Sequence, residues 1–346
     1  MEKILLRSKF RGSLLGTLIG DCCGAPFEGQ VMDSGSKLVL RQNLDKLEGP
    51  FFKAPYKKYT DDTALTKCVL SSLLNPSGFS QKLLAKNFVL EYFKDPRRGY
   101  GAAVGDVFEK LRKTKVADPV GPAAAQFGGS GSFGNGAAMR VAPIALYCVN
   151  RGNSELLQMV RDASLVTHSH TLGVNGAVLQ ALAITQSLKL NPEEQLNAKQ
   201  FLAQLKTDIT EVEKENDPDL DANHNAYQKQ LEAVEQLLDG KVESSDENVL
   251  NLLGHSVAAL HSVPTAIFCF LKCTDGTASH RSFRDTLEYA ISLGGDADTI
   301  ASMACAISGA FLGAEAISET LVKHCEDADN IVSLADQLLE TVENRA

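Results

Sequence analysis

Lys9-Phe10-Arg11-Gly12-Ser13-Leu14-Leu15-Gly16-Thr17-Leu18-Ile19-Gly20-Asp21-Cys22-Cys23-Gly24 carries four glycines spaced four residues apart. On a helix, residues four apart share one face, so this stretch reads as a helix with a bare groove along one side. Such a groove lets a second helix approach closely, and that packing accounts for the first three glycines. Outward from it, helical periodicity dominates. Leu65, Cys68, Val69 and Leu73 fall on one side of 61–74. Further helices are expected at 80–95, 102–114, 137–150, 154–166, 173–190, 194–210, 225–239, 246–259, 264–272, 282–293, 298–313 and 328–343. No segment alternates with period two, and Val/Ile-rich strands are missing. The expected fold is all-α, a compact globule of many short helices. The length alone would suit two domains, but no boundary or repeat is visible, so 1–346 is read as one domain.

Composition narrows the function classes. Of 346 residues, 44% are hydrophobic and 22% charged, with no Trp and only 6% aromatics, so the core is aliphatic and Ala-rich. A net charge of -9 argues against tracking a nucleic-acid backbone, which needs clustered Lys and Arg. It suits a protein that gathers carboxylates around divalent cations. The eight cysteines include no CxxC pair, which leaves reduced core thiols as the reading. Lys3, Arg7, Lys9 and Arg11 make the start mildly basic without a secretory apolar region. A mitochondrial presequence there would overlap the first helix. No charge-free apolar run reaches about 20 residues, so no membrane span is expected.

Several clusters carry chemistry. Tyr59-Thr60-Asp61-Asp62-Thr63 opens a periodic helix. Thr60 suits an N-cap with two dipole-favoured aspartates behind it, and the same oxygens suit a hard cation. Gly294-Gly295-Asp296-Ala297-Asp298-Thr299 opens a very apolar helix, where an aspartate needs a cation or hydrogen bonds to offset its desolvation. Two such clusters suggest one site with two metals. Glu28 begins a long connection, about 28–58, with Gly29, Gly35, Gly49, Pro50 and Pro55. It is either a surface residue or an acid–base group on a lid.

Phe127-Gly128-Gly129-Ser130-Gly131-Ser132-Phe133-Gly134-Asn135-Gly136, followed by Arg140, is either a flexible loop or a cradle of N–H groups for a pyrophosphate. Phe127 and Phe133 would then flank a base or ribose. Gly129, Gly131 and Gly134 match the dinucleotide fingerprint as a string, but no strand precedes them. Gly99-Tyr100-Gly101 is a second tight turn, and His168 and His170 precede a small-residue helix. The acidic run 208–223 reads as solvated. As an EF-hand it fails, because Ala222 stands where the turn glycine belongs and Gln228 where the bidentate Glu belongs, although Asp217, Asp219 and Asp221 have the spacing.

Seven segments in order resemble the ADP-ribosyl-acceptor hydrolase family, akin to dinitrogenase reductase-activating glycohydrolase. They are GDCCGAPFE (20–28), YTDDTA (59–64), DPRRGYGAAV (95–104), QFGGSGSFGNGAAMRVAPI (126–144), THSHTLGVNGA (167–177), SVPTAIFCFL (262–271) and YAISLGGDADTIA (289–301). The resemblance implies an all-α fold with two magnesium ions in a central cleft, manganese being a possible substitute. It implies metal ligation by Thr60, Asp61, Asp62, Asp296, Asp298 and Thr299, with Asp298 bridging, and a catalytic Glu28 on a flexible loop. Gly99, Gly101, Gly131, Ser132, Phe133, Gly134, Asn135 and His168 match ADP-ribose-binding positions, and Phe127 joins them as a candidate stacking ring. Within the family, the sequence looks like the members that cut the O-glycosidic bond between ADP-ribose and protein serine. Poly(ADP-ribose) and O-acetyl-ADP-ribose are implied as further substrates. The implied partners are ADP-ribosylated proteins and ADP-ribose, with no nucleic acid, no membrane and a monomeric state. The implied setting is the DNA damage response, in nucleus and cytoplasm, with the mitochondrial matrix also open. An arginine-specific ADP-ribosyl hydrolase and a non-catalytic ADP-ribose-binding module remain as alternatives.

Overall fold

The computed structural model describes residues 3–53, 56–214, 224–274 and 280–345. Its first half holds α1 (Lys3–Gly24), α2 (Ser34–Glu48), α3 (Asp61–Leu73), α4 (Gln81–Lys94), α5 (Ala102–Lys113), α6 (Gly121–Ala124), α7 (Ala142–Tyr147) and α8 (Asn153–Ser164). The second half holds α9 (Thr171–Lys189), α10 (Ala198–Lys214), α11 (Ala226–Leu238), α12 (Asp246–Leu252), α13 (Ala259–Thr274), α14 (His280–Ser292), α15 (Ala297–Leu312), α16 (Glu319–Lys323) and α17 (Ala328–Glu343). Among the described residues there is no strand, only the isolated bridges Lys57–Cys325 and Gly134–Ala258. The fold is all-α, as expected.

The glycine face of α1 lies antiparallel along α15. A Cβ on Gly12 would sit 2.4 Å from the Gly309 carbonyl oxygen, one on Gly16 2.1 Å from that of Cys305, and one on Gly20 2.4 Å from that of Ala301. Gly24 continues the seam, with its Cβ position 2.4 Å from Asp298 Cα. Ser13 Oγ donates to the Ala306 carbonyl across the same seam at 3.0 Å. α9, α13 and α14 cover the other faces of α15, which is buried nearly throughout. Because backbone meets backbone here, added volume cannot be absorbed by a side-chain shift. Gly16→Ala is therefore expected to cost at least about 1–3 kcal/mol of stability, measured by denaturant unfolding. A loss within error would mean that the seam relaxes.

Several segments depart from the expected boundaries; α10 is shifted to Ala198–Lys214 and α12 ends at Leu252, short of 259. The long connection after Glu28 contains the fifteen-residue helix α2. Its buried Leu40, Leu44 and Leu47 have helical spacing, but flanking glycine, proline and charge obscured it in the sequence. Asp33 caps it by accepting from Ser36 N–H at 2.8 Å. Ion pairs tie it to the rest of the chain: Arg41–Glu288 at 2.8 Å, Arg284–Asp45 at 3.0 Å and Arg284–Glu48 at 3.3 Å, with Lys37–Asp246 beside them. α7 is shorter than expected, with Pro143 in its first turn. α13 begins at Ala259 and keeps Pro264 inside, where a proline start was expected. The EF-hand-like Asp217, Asp219, Asp221 and Ala222 lie outside the described residues.

All eight cysteines are free, and seven are buried. No helix of the described residues is long and apolar enough to cross a membrane.

Candidate active site

Three helix ends meet in one place: the C-terminus of α1 and the N-termini of α3 and α15. Asp21, in the last turn of α1, is fully buried. It accepts hydrogen bonds from Thr60 N–H at 2.9 Å, Thr63 N–H at 3.0 Å and Thr63 Oγ1 at 2.6 Å. The start of α3 is thereby fastened to α1. On its other side, Arg98 donates to the Tyr59 carbonyl at 2.8 Å and to both Glu326 oxygens at 3.0 Å, while Asp61 N–H donates to the Arg98 carbonyl at 2.7 Å. Thr60 caps α3, accepting from Asp62 N–H at 3.4 Å. Cap and candidate ligand are thus one residue. The Thr60 and Thr299 hydroxyls donate to Asp62 Oδ2 at 3.3 and 3.2 Å, joining α3 to α15. Asp62 Oδ1 is buried without a partner.

At the start of α15, Asp296 N–H donates to the His255 carbonyl at 2.9 Å, and Asp298 Oδ1 accepts from Thr299 N–H at 2.9 Å. Asn135, expected as a ligand contact, turns its Nδ2 to Asp296 Oδ2, so it also orients the aspartate. Glu28 is exposed, yet one oxygen each of Glu28, Asp296 and Asp298 lies within 4.8 Å of the others. Its loop is held there by Gly29 N–H donating to the Gly295 carbonyl at 2.8 Å.

This concentration of acid is costly without a counter-charge. Burial raises Asp21 to about 6, and burial together with neighbouring carboxylates raises Asp61 to about 8 and Asp298 to about 9. Asp62 is raised well above the usual range by burial and by Asp21, and Asp296 is raised by burial. Glu28 is raised by partial burial and the Asp296 charge. Arg140 is a basic side chain that faces Asp61, while Asp62, Asp296 and Asp298 are acted on by burial, by one another's charges and by hydrogen bonds. The orphaned Asp62 oxygen and an all-oxygen donor set fit a hard divalent cation.

The pH dependence follows. Below about pH 4 folded and unfolded carboxyls are both protonated. As pH rises from the ordinary carboxyl range toward the raised folded values, the unfolded chain is ionised and the fold is not, so stability falls until the folded carboxyls ionise as well. With chelator present, Tm is expected to drop between about pH 5 and about pH 8. Magnesium should raise it more at the upper pH. Thermal melts at several pH values would check this, and a Tm flat in pH and indifferent to magnesium would contradict it.

Beside the carboxylates lies a cavity of about 340 Å³. Glu28, Asp61, Asp62, Asp296, Asp298 and Thr299 line one part, and Gly99, Gly101, Ser132, Gly134, Asn135 and His168 another. Thr60, Phe127, Gly131 and Phe133 are not on its wall. Gly131 packs, its Cβ position falling 2.1 Å from Ser169 Oγ. Phe127 and Phe133 are exposed rings 6.4 Å apart on the loop that supplies Ser132 and Gly134 to the wall. Phe127 has φ 50° and ψ 44°, a strained conformation for a bulky residue, and Gly128, Gly129 and Gly131 also have positive φ. The cradle is smaller than its glycine count suggests. Ser130, Gly131, Gly134 and Asn135 N–H groups are spent on Phe127, Gln126, Ser132 and Val257. His170 caps α9 by accepting from Leu172 N–H at 3.1 Å, so of the two histidines only His168 faces the cavity. The sequence reading missed Asp21, Thr167 and Arg140 as parts of this architecture. For Arg140 the signal was a charge inside the apolar run 137–147.

Fold and site together define an all-α protein with a carboxylate-lined cleft. The chain belongs to the ADP-ribosylglycohydrolase family, whose sequence model matches residues 2–346, and is thus a hydrolase of glycosidic bonds. It is similar to ADP-ribosylhydrolase ARH3 of Mus musculus, 41% identical over 96% of this chain and 91% of that protein. ADP-ribosylhydrolase ARH3 of Danio rerio is 40% identical over 97% of this chain and 91% of its own length. Among solved structures, one described as an ADP-ribosylglycohydrolase-related protein complex shares the fold, with a TM-score of 0.65, 21% identity and coverage of 97% of this chain and 99% of that one.

Proposed function

We propose that this chain is a magnesium-dependent hydrolase that cuts the O-glycosidic bond between ADP-ribose and protein serine. The observation that carries the reading is the meeting of Glu28 with Asp296 and Asp298 at the wall of the cavity, beside an orphaned Asp62 oxygen. The ARH3 relatives support the substrate class.

Thr60, Asp61, Asp62, Asp296, Asp298 and Thr299 would hold the two ions. Bound there, divalent cations supply Lewis acidity at the sugar end of the substrate. The protein's own groups do the rest. The Gly99–Gly101 turn, Ser132, Gly134 and His168 position the ADP-ribose body, and Phe127 and Phe133 offer ring faces outside the cavity wall. Glu28 moves the proton: the bond from the anomeric carbon to serine Oγ breaks, water oxygen takes that carbon, and one water proton ends on Oγ. A carboxyl held above its ordinary range suits both halves of that transfer. Poly(ADP-ribose) and O-acetyl-ADP-ribose carry a bond at the same carbon and would be cut by the same groups. A monomer working in nucleus, cytoplasm or mitochondrial matrix, on proteins modified after DNA damage, completes the reading.

The test is ADP-ribose release from a serine-linked peptide beside an arginine-linked one, with magnesium and with chelator. Release from serine alone, stopped by chelator, is expected. Release from arginine alone would replace the serine assignment, and tight ADP-ribose binding without release would make the protein a binding module.

A further inference from the structure

Arg140 is 2% exposed, and no carboxylate among the described residues pairs with it. Its guanidinium donates to the Gly136 carbonyl at 2.6 Å, the Ala163 carbonyl at 3.2 Å and Thr167 Oγ1 at 2.7 Å, with its flat face 4.7 Å from the Phe88 ring centre. A guanidinium only donates, so Thr167 Oγ1 accepts there and its own hydrogen must go elsewhere. Thr167 is fully buried, and the other side-chain partner of its hydroxyl is His168 Nδ1 at 2.7 Å. A proton on Nδ1 would occupy the hydroxyl's second lone pair and leave the buried hydroxyl hydrogen without an acceptor. Nδ1 is therefore the acceptor, and the ring carries its proton on Nε2.

The structure assigns Arg140 and Thr167 as positioning residues that lock His168 in its Nε2–H tautomer, making the ring a fixed donor to a phosphoryl oxygen in the cavity. The surroundings agree. A Cβ on Gly136 would fall 3.2 Å from Nε2 and one on Gly134 3.4 Å from it, so the glycine backbone leaves that nitrogen uncovered. Burial and the Arg140 charge push His168 down to about 3, so the ring stays neutral across the working range. Arg140 is the charged group against the ring, and Arg140 in turn faces Cys68 and Asp61. The neutral ring thus turns one donor, Nε2–H, toward the cavity. That the acceptor belongs to the diphosphate of ADP-ribose rests on the function proposed above; the tautomer does not.

The experiment uses the full chain labelled with nitrogen-15 at histidine, read by NMR, with ADP-ribose affinity measured in parallel. Wild type is expected to show His168 protonated at Nε2 and bare at Nδ1, unchanged from about pH 5 to about pH 9. Thr167→Ser keeps the hydroxyl and should keep both the spectrum and the affinity. Thr167→Val should admit the other tautomer and weaken ADP-ribose about tenfold. A proton on Nδ1 in wild type, titration of His168 near neutrality, or equal losses in the Ser and Val variants would overturn the assignment. If the lock behaves as expected but wild type does not bind ADP-ribose, the tautomer stands and the proposed ligand falls.

Discussion

Asp298→Ala is expected to abolish divalent-cation binding and to lower kcat/KM roughly a thousandfold or more. Asp298 sits where α1 crosses α15, and its backbone, not its side chain, makes the contact with Gly24. Its carboxylate accepts from Thr299 N–H, a first-turn donor that many helices leave to water. Removing the side chain therefore leaves the backbone contact between α1 and α15 in place. Without metal it should even stabilise the fold, because burial and the Asp296 and Glu28 charges hold this carboxyl up at about 9. Titration calorimetry with magnesium, paired with melts in chelator, separates loss of metal from loss of fold. A variant that binds magnesium as tightly as wild type would remove Asp298 from the metal site.

Glu28→Gln should do the opposite: keep magnesium affinity and lower kcat by about 10²–10⁴-fold. Glu28 is exposed, so the amide is tolerated, and the Gly29–Gly295 backbone hydrogen bond still holds the loop in place. The pH profile adds a second readout. If the ionised carboxylate acts, the rate climbs as pH rises through a value above the ordinary Glu range, set by partial burial and Asp296. The Gln variant should lose that limb. A near-normal kcat would leave the proton transfer to another group.

The helical class and the seam were legible because a period of four glycines has few other uses on a helix. The aspartate clusters were legible for a related reason: Asp61, Asp62, Asp296 and Asp298 stand at the mouths of apolar helices, where their charge needs explaining. Asp21 was hidden, because its partners Thr60 and Thr63 are distant in sequence and only the fold brings them to it. Asn135 was read as a ligand contact, and only its side-chain direction shows that it also holds Asp296. α2 was obscured because helix capping at Asp33 and the ion pairs to Arg284 are tertiary facts, while the local composition spoke for a loop.

Gly12, Gly16, Gly20 and Gly24 face Gly309, Cys305, Ala301 and Asp298, so both sides of the seam repeat at nearly the same interval. The two rods can then mesh like a ratchet, in steps and not by continuous sliding. A slip of four residues, about 6 Å along the axis, would still set three of the four glycines against backbone while carrying Asp21 and Glu28 a full notch away from the aspartates. Errors of assembly at this seam are consequently discrete. Such a molecule would be helical, compact and inert, invisible to circular dichroism and counted only by the fraction of chains that take up ligand.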